Sequence, residues 1–249
     1  MSMVMISVYC PTYNRPEIFA SRALPSVLNQ TYTDFEFIVM DDGSDFETYL
    51  KYLEIIEAAG DPRIILHGLP PESRKDRFPP EYPTWADEEK AKYWWLMGPA
   101  WAANHALNQC KRKWIARIDD DDIWLPEHLD RLMVCTVEKP DVQFLSSKYM
   151  VIDRDGQRVI GPDEFGIGGT QTWLYRRDLN LRYNYDCWRK SWNRNNDIDF
   201  AQQVVSSGAN VGFLSSVTAI ILPRPGETTI GSKAYLEDPE KALKWIRGE

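Results

Sequence analysis

Four consecutive aspartates, Asp119-Asp120-Asp121-Asp122, follow the apolar run Trp114 to Ile118. Carboxylates packed within a few ångströms repel one another and raise each other's pKa. A divalent cation relieves that repulsion, and carboxylate oxygens are the ligands Mg²⁺ or Mn²⁺ prefers. The competing reading is a helix cap, since a helix is predicted to begin near Pro126 and negative charge is favourable there. A calcium loop starting at Asp119 fails, because its sixth position needs glycine and holds Trp124. Gly166-Ile167-Gly168-Gly169 fails as a dinucleotide loop, with Gln171 in place of the last glycine and a position far from the first strand–helix turn, where such a loop belongs. No phosphate-binding P-loop occurs. Three histidines (His67, His105, His128) and no nucleophile-elbow pattern argue against serine-histidine chemistry.

Two further polar segments, Pro11 to Pro16 and Asp41 to Asp45, also follow apolar runs. The elements that position them alternate. Met5 to Cys10 reads as a strand, Glu17 to Asn29 as a helix, Phe35 to Met40 as a strand and Phe46 to Ala59 as a helix stopped by Gly60. A short strand at Ile64 to His67, a helix over Ala100 to Gln109 and a strand at Trp114 to Ile118 continue the rhythm. Between them, residues 68–96 carry five prolines and many charges, which reads as a long loop: a lid, a binding loop or an idle insertion.

Later come a strand at Gln143 to Ser146, a hairpin about Asp153-Arg154-Asp155-Gly156 and an extended stretch over Gln171 to Arg176. A helix over Asn196 to Ser207 and strands at Val211 to Leu214 and Val217 to Leu222 complete the chain. Strand–helix alternation predicts an α/β fold: a Rossmann-like, mostly parallel sheet with helices on both faces. Ligands then bind at the carboxyl ends of the strands, where the three polar segments fall.

With 37 acidic and 29 basic residues, the net charge is −8, which argues against a partner gripped by nucleic-acid phosphate charge. No window of 18 apolar residues spans a membrane. The apolar start reads as a first strand rather than a signal peptide. Four scattered cysteines (Cys10, Cys110, Cys135, Cys187) read as reduced core thiols of a cytoplasmic protein. One domain over 1–249 is predicted.

Val8-Tyr9-Cys10-Pro11-Thr12-Tyr13-Asn14-Arg15, Ser26-Val27-Leu28-Asn29-Gln30-Thr31-Tyr32, Asp34-Phe35-Glu36 and Asp41-Asp42-Gly43-Ser44 resemble the opening of family 2 inverting glycosyltransferases of the GT-A fold. Ala103-Asn104, Ile118 to Asp122 and Trp124-Leu125-Pro126 resemble that family's acidic block. The resemblance is dense over residues 4–132 and thin beyond. It implies a donor subregion over about 1–122 and an acceptor subregion over about 123–249, with a smaller mixed sheet on the acceptor side.

It further implies a nucleoside-diphosphate sugar donor, a UDP-sugar by preference, and direct displacement by an acceptor hydroxyl. The acceptor would be a glycan, a lipid-linked sugar or another hydroxyl carrier, the lipid case bringing peripheral membrane contact. Pro11, Thr12, Tyr13, Asn14 and Arg15 would line the nucleotide pocket, with Tyr13 stacking on the base. Asp42, or else Asp41, would hydrogen-bond the base. Asp119 or Asp120 would contact the ribose, and Asp121 would hold Mn²⁺ or Mg²⁺ on the diphosphate.

Asp197 stands where the family has its catalytic base, although Asn196 replaces the usual preceding glutamate. N-capping is the plain alternative for Asn195, Asn196 or Asp197. Asp199, two residues on, points elsewhere on a helix and joins Trp173, Trp188 and Trp192 as acceptor-side candidates. Arg224 is the candidate for closing over the diphosphate, with Arg74, Lys75 and Arg77 as alternatives. Two rival readings are a non-catalytic nucleotide-sugar-binding relative and a sugar-phosphate nucleotidyltransferase. The second wants a glycine-rich basic loop after the first strand, and Pro11 to Pro16 has no glycine.

Overall fold

The computed structural model describes residues 5–190 and 195–247. Strand β1 (Ile6–Thr12) is buried at every position, the signature of a central parallel strand covered on both faces. It pairs in parallel with β2 (Phe35–Asp41), which carries β3 (Ile64–Gly68) at its outer edge, and on the other side with β4 (Trp114–Arg117). Alternate residues serve opposite cores: Val8, Cys10, Phe37, Val39 and Ala116 face one, Tyr9, Ile38, Met40 and Ile115 the other.

The first crossover is two helices, α1 (Pro16–Ser21) and α2 (Ala23–Leu28), rather than the single predicted one. In a continuous helix the Pro25 ring would clash with the Ser21 carbonyl, so the chain breaks at Arg22, with φ −124° and ψ −78°. The guanidinium of Arg22 then uses the break: it donates to the carbonyls of Asp121 (3.0 Å), Leu222 (3.1 Å) and Pro223 (2.6 Å). Helix α3 (Phe46–Ala59) matches its prediction, capped by the Asp45 carboxylate on the Thr48 amide and closed by Gly60 at φ 61°.

Residues 68–96 are not one loop. Two 3₁₀ turns, Pro71–Arg77 and Tyr82–Thr84, lead into α4 (Asp87–Met97), followed directly by α5 (Ala100–Gln109). All five prolines precede α4, and Glu89 braces its start by accepting from the Ala86 amide (2.9 Å). Tyr93, Trp94, Leu96 and Met97 are buried in the second core.

After β5 (Asp122–Trp124) comes α6 (His128–Glu138), then β6 (Phe144–Asp153), β7 (Gly156–Ile160) and β8 (Leu174–Arg176). Helices α7 (Cys187–Lys190) and α8 (Asn196–Ser206), strand β9 (Val211–Ile221), and helices α9 (Ser232–Glu237) and α10 (Pro239–Arg247) end the chain. The two late predicted strands are one long β9, paired in parallel with β6 across register shifts beside Lys148. The mixed strands do not stand apart. They continue the parallel half as one sheet in the order β3-β2-β1-β4-β8-β6-β9-β5, with β7 on β6. All four cysteines are buried and outside any disulfide.

Candidate active site

The carboxyl ends of β1, β2 and β4 open into one cleft of about 560 Å³. Its far wall is built by the segment 160–173, the first turn of α8 and residues 221–235. All four aspartates of the tetrad face this cleft rather than the outside solvent.

The tetrad does not stand unneutralised. Arg15 donates to Asp120 (3.0 Å) and Asp121 (3.3 Å), and Thr12 Oγ1 donates to the other Asp120 oxygen (2.7 Å). Tyr52 from α3 fixes this corner, with its hydroxyl 2.6 Å from Thr12 Oγ1 and accepting the Arg15 amide. Arg117 pairs with Asp119 (2.9 Å) and with Asp197 (3.3 Å). Burial raises the Asp120 carboxyl, partly countered by Arg15. Burial likewise pushes Asp119 up to about 6, with Arg117 opposing and Asp197 and Asp121 adding to the rise. Asp122 is pushed well up by burial and by its neighbours Asp121 and Asp119. Asp121 has a quarter of its side chain open and one long ion pair, whereas Asp119, a third open, is held closely by Arg117.

At the other end of the cleft, Asp42 receives two arginines, Arg74 (2.7 Å) and Arg77 (2.5 Å), from the 3₁₀ turn after β3. These candidates for the diphosphate therefore sit on Asp42, the carboxylate expected to meet the base. The Arg74 guanidinium also lies 3.5 Å from the Tyr13 ring centre, covering one face of it, and 4.6 Å from that of Trp94. Arg224 lines the cleft, held by Glu227 (2.7 Å) and the Tyr235 hydroxyl (3.2 Å).

Several candidates hold structure instead. Asp41 accepts from the Ser44 amide (3.0 Å) and hydroxyl (2.5 Å), and Ser44 in turn accepts from the amide of Asn14, whose φ is 49°. Both residues brace the loops behind the cleft without lining it. Asp199 is buried against Lys190 (2.6 Å) and Gln203 (3.1 Å), away from the cleft. Trp188 packs edge-on to Trp85 and Tyr93 in the core. Trp173 touches the cleft, yet it is 2% exposed, bonded to the Gly168 carbonyl and stacked on Phe200. Trp192 and the Lys75 side chain lie outside the described residues.

Asp197 does face the cleft. Asn195 does the capping, accepting from the Ile198 amide (2.9 Å), and buried Asn196 donates to the Leu96 carbonyl (2.9 Å). The first turn of α8 is thus fixed without Asp197, whose carboxylate is one-third exposed. Arg22 and Arg117 were not singled out in the sequence. A lone arginine inside the apolar run Trp-Ile-Ala-Arg-Ile was the available signal, because a buried guanidinium requires carboxylate partners.

Among the described residues, no group of three or more histidine, cysteine, aspartate or glutamate side chains could hold a metal ion. Asp121 offers one open carboxylate. That suits an ion completed by water and a bound diphosphate, the habit of Mg²⁺.

A Rossmann-like sheet with an acidic cleft at its strand ends places this chain among α/β proteins that bind ligands at that edge. The sequence model of "Glycosyl transferase family 2" matches residues 7–68 and 94–189, and the chain belongs to that family. A UDP-Glc:alpha-D-GlcNAc-diphosphoundecaprenol beta-1,3-glucosyltransferase of Escherichia coli, WfgD, is 30% identical over 155 residues, 62% of this chain and 49% of that protein. A GalNAc(5)-diNAcBac-PP-undecaprenol beta-1,3-glucosyltransferase of Campylobacter jejuni is 27% identical over 53% of this chain and 34% of its own. The chain spans about half or less of these curated relatives.

Among solved structures, S. aureus TarS in complex with UDP-GlcNAc shares the fold at a TM-score of 0.65 and 20% identity, over 97% of this chain and 65% of that one. A mannosyltransferase of Pyrobaculum calidifontis in complex with GDP-Man and Mn²⁺ does so at 0.59 and 15%, over 98% and 75%. This common fold is the GT-A glycosyltransferase fold.

Proposed function

We propose that this chain transfers a glycosyl group from a nucleoside-diphosphate sugar, a UDP-sugar first, to an acceptor hydroxyl with inversion. The observation that carries the reading is the shared cleft. Strand-end acids at 119–122 and a helix-borne acid at 197, far apart in sequence, face the same space beside Tyr13 and Asp42. In inverting transfer the acceptor hydroxyl loses its proton as it attacks from the face opposite the leaving group, so a carboxylate within about 3 Å is needed. Asp197 is that base. Tyr13 and Asp42 receive the nucleobase, and Thr12, Arg15 and Asp120 shape the pocket behind the ribose.

Negative charge builds on the departing diphosphate, and a bound Mn²⁺ or Mg²⁺ stabilises such charge as a Lewis acid. Asp121 would be the protein ligand to that ion, and Arg224 sits where it can approach the same diphosphate. The WfgD name specifies a sugar on diphosphoundecaprenol as acceptor, which supports offering lipid-diphosphate-linked sugars here. Among the described residues no helix is long and apolar enough to cross a membrane.

The test is calorimetry with UDP and GDP, with and without Mn²⁺, followed by product analysis with UDP-glucose, UDP-GlcNAc and GDP-mannose. The expected outcome is UDP binding strengthened by Mn²⁺, turnover that inverts the anomeric centre, and loss of the metal effect in Asp121→Ala. Tight UDP binding without turnover on any acceptor would make the chain a binding module. Retention of anomeric configuration would remove Asp197 as base.

A further inference from the structure

Arg117 ends β4 and is 1% exposed, a costly place for a permanent charge. Asp119, two residues on, already gives it a partner through Nε and Nη2, both at 2.9 Å. A purely structural arginine would need no more. Yet its third nitrogen, Nη1, reaches further: it donates to the buried Tyr183 hydroxyl and, at the cleft, to Asp197 Oδ1 at 3.3 Å.

The guanidinium has little freedom to do otherwise. Tyr183 is locked at its backbone by Asn104, which donates to its carbonyl (2.9 Å) and accepts from its amide (2.8 Å), and its hydroxyl meets that of Tyr9 at 3.0 Å. Asp197, for its part, has no capping duty, and its one-third exposure leaves it free to swing into solvent. Among the described residues, Arg117 is the side chain to which it hydrogen-bonds, through Oδ1. The second oxygen, Oδ2, makes no hydrogen bond among those residues.

We propose that Arg117 is the positioning residue of the reaction: it holds one oxygen of Asp197 so that the other faces the acceptor hydroxyl. The inference rests on the glycosyl-transfer reading and names the residue that orients its base. With 1% exposure, Arg117 acts through Asp197. The same guanidinium spans to Asp119, so the base is set in register with the strand ends that carry the donor. A carboxylate free to rotate would reach the attacking geometry only part of the time, and loss of such a supporting contact typically costs 10–100-fold.

The experiment uses the intact chain, Mn²⁺ and UDP-GlcNAc or UDP-glucose, reading UDP release with water as acceptor and UDP binding by calorimetry. Arg117→Met is expected to lower kcat by about 30-fold while donor KM and UDP affinity stay within about 3-fold of wild type. Arg117→Lys, which keeps the charge but loses the fork, is expected to recover part of the rate. In an Asp197→Asn background, Arg117→Met is expected to cause no further loss of kcat, because the residue it orients is gone.

Should Arg117→Met fail to fold, Arg117→Lys with the same background comparison decides the matter. Wild-type kcat in the variants overturns the proposal. So does a loss confined to KM, or a loss that persists in the Asp197→Asn background. A wild-type chain that neither binds UDP nor releases it from a UDP-sugar would instead overturn the glycosyl-transfer reading, and this one with it.

Discussion

The two walls of the cleft are built by different rules. The near wall is three strand ends, where a few consecutive residues place Thr12, Asp42 and the tetrad as soon as β1, β2 and β4 lie side by side. The far wall is one helix turn and two connecting segments, brought in by α8, β7 and β9. On the near wall acids are held by dedicated arginines: Arg15 on Asp120, Arg74 and Arg77 on Asp42. On the far wall, Asp197 reaches back across the cleft to borrow Arg117 from β4. The near wall therefore behaves as a preformed binding surface. The far wall carries Asp197, the proposed base, with one-third of its side chain exposed.

That contrast breaks most sharply at Asp197. Asp197→Asn keeps the shape and the Oδ1 acceptor but abolishes the base, and kcat is expected to fall about 10²–10⁴-fold. UDP affinity, assigned by the proposal to the near wall, is expected to hold within about 2-fold, because the side chains proposed to receive UDP are untouched. Steady-state kinetics and calorimetry on one preparation separate the two. A fall in UDP affinity matching the fall in rate would mean the walls are not independent.

Asp42 is the converse case. Asp42→Ala leaves Arg74 and Arg77, with side chains 9% and 4% exposed, short of their carboxylate. Stripping one member of a buried ion pair costs about 3 kcal/mol, because the remaining charge is uncompensated. Urea unfolding is expected to show that loss together with weakened UDP binding. A shift below about 1 kcal/mol would mean that something other than this pair fixes the 3₁₀ turn at Pro71–Arg77.

The same division governs what could be read beforehand. Strands β1, β2 and β4 were legible because each is a short apolar run ended by polar residues, and the near-wall acids are consecutive in the chain. Asp197 was singled out through motif likeness, and it lines the cleft. Helix α4 was hidden because the five prolines dominate the composition of 68–96 while lying entirely ahead of the helix. Asp199 and Trp188 were misjudged because nearness in sequence to Asp197 says nothing about which face of a helix or which core they enter. Which acid each arginine neutralises could not be read for a physical reason: ion pairs such as Arg15–Asp120 and Arg117–Asp197 join residues 105 and 80 apart.

Asp41 sharpens the picture of the near wall as scaffold. Its carboxyl is 1% exposed, and burial holds it up to about 6, despite the Ser44 hydrogen bonds that favour the charged form. With the folded value above the ordinary 3.8, the folded state keeps its proton longer than the unfolded chain. Stability from this group is intact below about pH 4, declines as pH rises to about 6, and is lower by about 3 kcal/mol beyond that. In Asp41→Asn that slope is expected to vanish. Melting followed from pH 4 to 7 should show the variant gaining on wild type through this window. Parallel curves would remove Asp41 as the source.

Two helix caps offer the finest comparison, since they do the same chemistry on the two walls. Asp45 accepts from the Thr48 amide at 2.7 Å to start α3, and Asn195 accepts from the Ile198 amide at 2.9 Å to start α8. Replacing either with alanine removes one capping bond, worth about 1 kcal/mol of stability. Asp45 is exposed and starts a helix that supports the near wall from outside, so Asp45→Ala is expected to melt earlier with unchanged kcat. Asn195 is two residues from the base, and the turn it caps carries Asp197 into the cleft. Asn195→Ala is expected to melt by a similar margin and also lose about 3–10-fold in kcat, since small misplacements near reacting groups are amplified in rate. Equal kinetic behaviour of the two variants would show that Arg117 and the Asn196 anchor alone suffice to aim Asp197. The division between the walls would then lie in the ion pairs rather than in the helix that carries the base.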